Sequence, residues 1–193
     1  MLVAELPNLQ KIEASTALVS DFTEHLQLHK NYEKALKKEF PDIYNNFSNR
    51  DIARLLKDPR DYVAGNRIDR FNFLLGGLFC HNLHWKCLDF VNGISLPMHE
   101  SVIQECINRA AAHQGSGWLW VALKKNGEAV IYTTRNHNTP YMRHQIPIFN
   151  LDLWEHAFYC DYRTKKKEYI ERVLRNFVSR SFGNLQAMGV YSF

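Results

Sequence analysis

The stretch FNFLLGGLFCHNLHWKCL, Phe71 to Leu88, is apolar on nearly every face. A surface helix shows one apolar stripe, whereas a helix without a polar side is buried all round, so the rest of the chain must wrap it. Its polar residues then need reasons. Gly76 and Gly77 each cost a helix about 1 kcal/mol relative to alanine, which predicts close backbone approach or a need for free space at that point. His81 lies in the middle of the segment, where a neutral imidazole has two ring nitrogens to satisfy.

The flanking sequence supplies the wrapping. From Asp21 onward, Phe22, Leu26, His29, Leu36 and Phe40 recur at helical steps and give a long helix one apolar stripe, on which His29 lies. Pro41 ends that pattern, and NFSNRDIARLLKDPRDYVAGN reads as a polar connection holding at most a short helical turn. After the buried segment, Val102, Ile103, Cys106, Ile107 and Ala110 mark a third helix that ends before Gly115. The period then changes to alternation: in GWLWVALKKNGEAVIYTT two strand-like runs meet at Asn126-Gly127, a strong hairpin signal. IPIFNLD supplies a third strand, and KEYIERVLRNFVSRSF a closing amphipathic helix. These elements predict an α+β fold, with an N-terminal α-helical hairpin domain over residues 1–92 and a C-terminal domain over 93–193 built on a small three-stranded antiparallel sheet. With 193 residues, 46% hydrophobic and 13% aromatic, the chain has apolar material for such a core.

Composition excludes several classes. No window reaches the roughly 18 apolar residues of a spanning helix, and the opening MLVAELPNLQKIEAS has neither a basic leader nor a long apolar core, so no signal peptide or membrane anchor is expected. Cys80, Cys87, Cys106 and Cys160 sit in apolar segments without CxxC spacing and read as buried reduced thiols, which points to the cytoplasm or an organelle matrix. A net charge of +4 is only mildly basic, and RTKKKEY (163–169) reads as a solvated helix start, so no nucleic-acid partner is expected.

Asp152 and His156 are four residues apart in FNLDLWEHAFYCDY, directly after a strand-like run. Residues so spaced share a helix face or converge from a strand end and its turn, and by themselves are commonly a hydrogen-bonded pair. His81 and His29 change that reading. Three buried histidines and one carboxylate are most economically explained by convergence on one cation, and three nitrogens with one oxygen suit iron, manganese or zinc in a site that is not a structural thiolate zinc. Trp85, Trp118, Trp120, Trp154, Phe158 and Tyr159 would keep such a site dry, or simply fill the core.

The motifs GGLFCHNLHW, GSGWLWVAL, NHNTP and above all DLWEHAFYCDY resemble the iron/manganese superoxide dismutases, in the order that family uses, from LPNL at Leu6 to the last helix. The resemblance implies one iron or manganese ion per chain, bound by His81, Asp152, His156 and a first-helix histidine. Counting from LPNL gives His29, with His25 one turn earlier as the rival. It further implies that Trp154 and Trp118 line the site, and that Glu155 and Tyr159 belong to a homodimer interface. His137 stands where the family carries an outer-sphere amide, the other position for which is occupied by Gly77.

With His29 as first ligand, the family's second-sphere histidine and gateway tyrosine become Glu33 and Lys37, unless Tyr32 substitutes in another helix register. An Asn-Trp pair is also missing from FVSRSFGNL. The resemblance implies dismutation of superoxide, a small-molecule substrate drawn by a basic funnel. An altered gate would instead suit an oxidase acting on an organic or peptide substrate, and a ribosome-associated scaffold is the third reading, disfavoured by the retained ligands.

Overall fold

A computed structural model describes residues 1–6, 23–88 and 99–178, side chains excepted at 176–178. Phe22 of the first stripe, most of LPNL, the 92/93 boundary and the chain beyond residue 178 lie outside the described residues. The expected α+β architecture is present. Helix α1 (Thr23–Glu39) buries His25, His29 and Leu36 on one face and carries Lys37 and Lys38 in its last turn, where cations favour the helix dipole. Pro41 ends it but also starts α2 (Pro41–Asn46), since proline lacks only a donor that a first turn leaves unused. The connection is more helical than its composition predicts: α3 (Ile52–Lys57) buries Ile52, Leu55 and Leu56, flanked by 3-10 turns at Asn49–Asp51, Pro59–Asp61 and Gly65–Arg67.

Helix α4 (Ile68–Leu88) is the buried segment, with Leu74 to Leu88 enclosed apart from Phe79 and Lys86. It runs antiparallel to α1, as cross-contacts show: Glu39 meets Arg70, Tyr32 meets Gly77 and His29 meets Asn82. The glycine pair is explained by these approaches. A Cβ at Gly76 would lie 2.3 Å from the His137 carbonyl oxygen, and one at Gly77 would lie 2.7 Å from the Tyr32 ring.

Helix α5 (Glu100–Ala112) leads into strands β1 (Gly117–Leu123), β2 (Ala129–Arg135) and β3 (Ile146–Asp152), antiparallel in the order β2-β1-β3. Gly127 takes φ +83° at the β1–β2 turn, which is why Asn-Gly marks it. The central strand β1 is buried on both faces, and its register sets Trp118 opposite Asp152. Short helix α6 (Tyr159–Tyr162) and α7 (Lys166–Val178) close the described chain.

Among the described residues two apolar clusters form the core: one joins Leu2, α1, α2, α3 and the first half of α4, and the other joins the second half of α4 to α5, the sheet and α7. Helix α4 thus belongs to both. Among the described residues no helix is long and apolar enough to cross a membrane. Cys80, Cys87 and Cys106 are buried free thiols, but Cys160 is exposed, because the turn at Tyr159–Tyr162 sets Tyr162 inward and leaves Cys160 at the surface.

Candidate metal centre

Asp152 ends β3 and is fully buried. Its backbone carbonyl accepts from the Tyr169 hydroxyl at 3.1 Å, and its Oδ1 accepts from the Trp154 N–H at 2.8 Å. Those bonds leave Oδ2 facing three imidazoles, with His25 Nε2 at 3.2 Å, His156 Nε2 at 3.3 Å and His81 Nε2 at 3.7 Å. All four donor atoms lie within 4.8 Å of one another. They come from α1, α4, the end of β3 and the 3-10 turn Glu155–Ala157.

Each of these atoms is buried and without a hydrogen-bond partner of good geometry. Other buried polar atoms of the described residues also lack partners, but these four converge on one point, and that convergence fits a bound cation. The protonation states agree. His81 Nδ1–H donates to the Gly77 carbonyl at 2.7 Å, which leaves the Nε2 lone pair free. Burial holds His81 well below the usual imidazole range and lowers His25 despite the attraction of Asp152, so both are neutral. For Asp152, burial pushes the carboxyl up, but His156 and His25 outweigh it and hold it well below the usual range, as an anion. Three imidazole nitrogens and one carboxylate oxygen suit iron, manganese or zinc without thiolate.

The first ligand expected from the sequence is corrected here. His29 lies outside the cluster, because both of its nitrogens are taken: Trp85 Nε1 donates to Nδ1 at 2.9 Å, and Nε2–H donates to Asn82 Oδ1 at 2.8 Å. His25, one turn earlier on the same face, belongs to the cluster instead. The gate residues shift with it. Glu33 turns away, its Oε2 accepting from the Ala4 N–H at 2.7 Å and its Oε1 from the Tyr44 hydroxyl at 3.0 Å. Lys37 is exposed, with its Nζ over the Tyr44 ring.

Tyr32 takes the place beside the cage. At 3.6 residues per turn, a residue seven after His25 returns to the same face, about two turns on. Its hydroxyl lies 2.6 Å from His137 Nε2, while Trp118 Nε1–H donates to His137 Nδ1 at 3.1 Å. An accepting Nδ1 fixes the neutral ring in its Nε2–H tautomer, so Tyr32 accepts that proton and keeps its own O–H free to donate. Burial lowers His137 to about 3, which keeps it neutral. Burial also raises the Tyr32 phenol, which therefore stays protonated.

Trp154 stacks on His137 with ring centroids 4.7 Å apart, and Phe73 meets the same ring at 4.9 Å. Trp118 stands edge-on to His81 at 5.1 Å. Glu155 and the 46% exposed Tyr159 lie on the surface beside His156, itself 19% exposed. Asn82, Phe73 and the buried His84 were not singled out from the sequence. Tyr32, named from the sequence only as a substitute in another helix register, fills the space left at Gly77.

Comparison with known proteins bears on the family of the whole chain. Residues 97–182 match the family described as iron/manganese superoxide dismutases, C-terminal domain. The Mn superoxide dismutase of Chlamydia muridarum (strain MoPn / Nigg) is 30% identical over 169 residues, covering 79% of this chain and 80% of that protein. The Mn superoxide dismutase of Yersinia enterocolitica is 29% identical over 165 residues, 77% of each chain. That of Haemophilus ducreyi (strain 35000HP / ATCC 700724) is 27% identical over 168 residues, 77% of this chain and 75% of its own.

Proposed function

Since this chain belongs to the iron/manganese superoxide dismutases, a family of metal-dependent oxidoreductases, we propose that it disproportionates superoxide at one iron or manganese ion held by His25, His81, Asp152 and His156. The observation that carries this reading is the convergence of four buried, unpartnered donor atoms. When bound, the ion supplies one-electron exchange, taking an electron from one superoxide and giving it to the next. Two superoxide ions and two protons then yield dioxygen and hydrogen peroxide.

The chain's own residues manage position and protons. Asp152, pinned through Oδ1 by Trp154, offers the one anionic donor, and the Nδ1–H of His81 held by Gly77 fixes that ring's orientation. Tyr32, hydrogen-bonded to His137, presents a protonated phenol at the cage. Trp118, Trp154 and Phe73 exclude bulk water around that pair. The presence of Tyr32 removes the reason for an organic-substrate oxidase, which rested on a gate replaced by Glu33 and Lys37.

Manganese is the metal we favour, on the names of the relatives. We also place a homodimer contact at Glu155 and Tyr159, next to His156, and the protein in a reducing compartment suited to its buried thiols. Elemental analysis paired with superoxide consumption on the same sample tests the main reading. One iron or manganese per chain with fast consumption is the expected result. A filled site with negligible consumption would reject dismutation, and a site that takes neither metal would reject the metal centre.

A further inference from the structure

The Leu2–Glu5 segment is tied toward the site by a chain of hydrogen bonds that ends in a ring contact. Leu2 is fully buried in the apolar cluster with Leu36 and Leu75. Asn49 brackets Val3, its Oδ1 accepting from the Val3 N–H at 2.9 Å and its Nδ2 donating to the Val3 carbonyl at 3.1 Å. Ala4 donates to Glu33, and Lys86 pairs with Glu5 at 2.6 Å. Asn82, 4% exposed on α4, is the junction. Its Nδ2 donates to the Val3 carbonyl at 3.1 Å, and its Oδ1 accepts both the Glu5 N–H and the His29 Nε2–H, each at 2.8 Å.

From His29 the connection runs on to the cage. Its Nδ1 accepts from Trp85 Nε1, and the Trp85 ring lies 4.7 Å from the ring of His25. The bonds of this path fit one consistent set of protonation states: neutral His29 with its proton on Nε2, and the Asn82 amide with its oxygen toward Glu5 and His29. At its inner end, where Asn82, His29 and Trp85 are buried, a satisfied polar network of this kind rigidifies what it joins. Removal of one member leaves the next with an unpaired buried group.

We infer that the Leu2–Glu5 segment is a positioning element of the metal centre, acting through Asn82, His29 and Trp85 on the donor His25. The inference rests on the reading of the cluster as a metal centre. It goes beyond that reading in making a distant stretch of backbone part of the ligand's support. His29, on this account, positions and does not bind.

Three variants of the full chain test it. Asn82→Ala removes the junction, Asn49→Ala loosens the segment without touching His29, and Leu55→Ala weakens the same apolar cluster without touching the network. The first readout is the imidazole nitrogen NMR of His29 in metal-free protein. The second is the rate at which loaded manganese passes to a chelator, together with its electron paramagnetic resonance spectrum.

Positioning predicts that Asn82→Ala draws the two His29 nitrogen signals together as the tautomer lock is lost. Manganese release should rise by about 10- to 100-fold, the range for lost support of a metal-ligating residue, with a changed spectrum. Asn49→Ala should move the same readouts less far in the same direction. Leu55→Ala should lower Tm and leave them unmoved. Unchanged His29 signals and release in Asn82→Ala would overturn the inference; so would an Asn49→Ala protein identical to the parent, or a Leu55→Ala protein that shifts equally. Should Asn82→Ala fail to fold, Asn49→Ala decides. A parent chain that takes no metal would reject the metal centre separately, while the NMR comparison still judges the latch.

Discussion

The Tyr32 hydroxyl and His137 Nε2 meet at 2.6 Å across 105 residues of sequence. Because Trp118 already donates to the other ring nitrogen, the direction of this bond is fixed, and the phenolic proton points to another acceptor. Tyr32→Phe should therefore keep its metal and lose superoxide consumption by about 100-fold, the lower end of the span for a lost proton-transfer group. Metal analysis and stopped-flow consumption on the same preparation check both halves of that statement.

Gly77 offers an indirect test of the same pair. An alanine Cβ would stand 2.7 Å from the Tyr32 ring, so the ring has to move. Gly77→Ala should cost about 1–3 kcal/mol as an overpacked core does, and should lower turnover by displacing Tyr32 from His137. Urea unfolding and turnover, compared with Tyr32→Phe, measure it; additive losses in the double variant would show that the two act separately.

The register of α1 separates two histidines by metal content. His25→Ala and His81→Ala should each abolish stoichiometric binding, since each removes one of four donors. His29→Ala should still bind, though less tightly. Equal metal loss in all three would count against the assignment of the first donor.

Lys37→Tyr should leave turnover where it is. Lys37 is exposed and turned toward Tyr44, so a phenol placed there does not reach His137. A clear gain in superoxide consumption would mean that α1 adopts a different register in the active protein.

Metal-free protein should lose stability in acid. Burial lowers His29 to about 4, and His84 and His137 to about 3, from an ordinary 6.5. With the folded values depressed, the unfolded chain binds more protons between these limits, so stability is complete above about pH 6.5 and falls as pH drops toward 4 and then 3. Urea midpoints across that window should decline steeply, and His29→Gln, which has no proton to take up, should flatten the upper part of the fall. A flat parent curve would contradict the buried neutral imidazoles.

Much of this site was legible from the sequence because its signals were local. Asn126-Gly127 marked the hairpin, the all-round apolarity of Phe71 to Leu88 marked the central helix with His81, and Asp152 with His156 sat four apart at a strand end. The first helix was ambiguous for a physical reason: His25 and His29 lie one turn apart on the same buried face, so periodicity fits either as the donor. What separates them is which nitrogens are already engaged, and that depends on Trp85 and Asn82, more than fifty residues away in sequence. Tyr32 was obscured likewise, since its partner His137 lies on the far side of the sheet hairpin. The resemblance supplied the chemistry, while only packing could supply the register.

The cage takes its four donors from separate elements, and only His156 is appreciably exposed. An ion held there stitches both apolar clusters together, so its binding energy counts toward the stability of the whole fold. With His25, His81 and Asp152 buried, exchange of such an ion should be slow. A centre closed in this way would keep whichever metal it first took up.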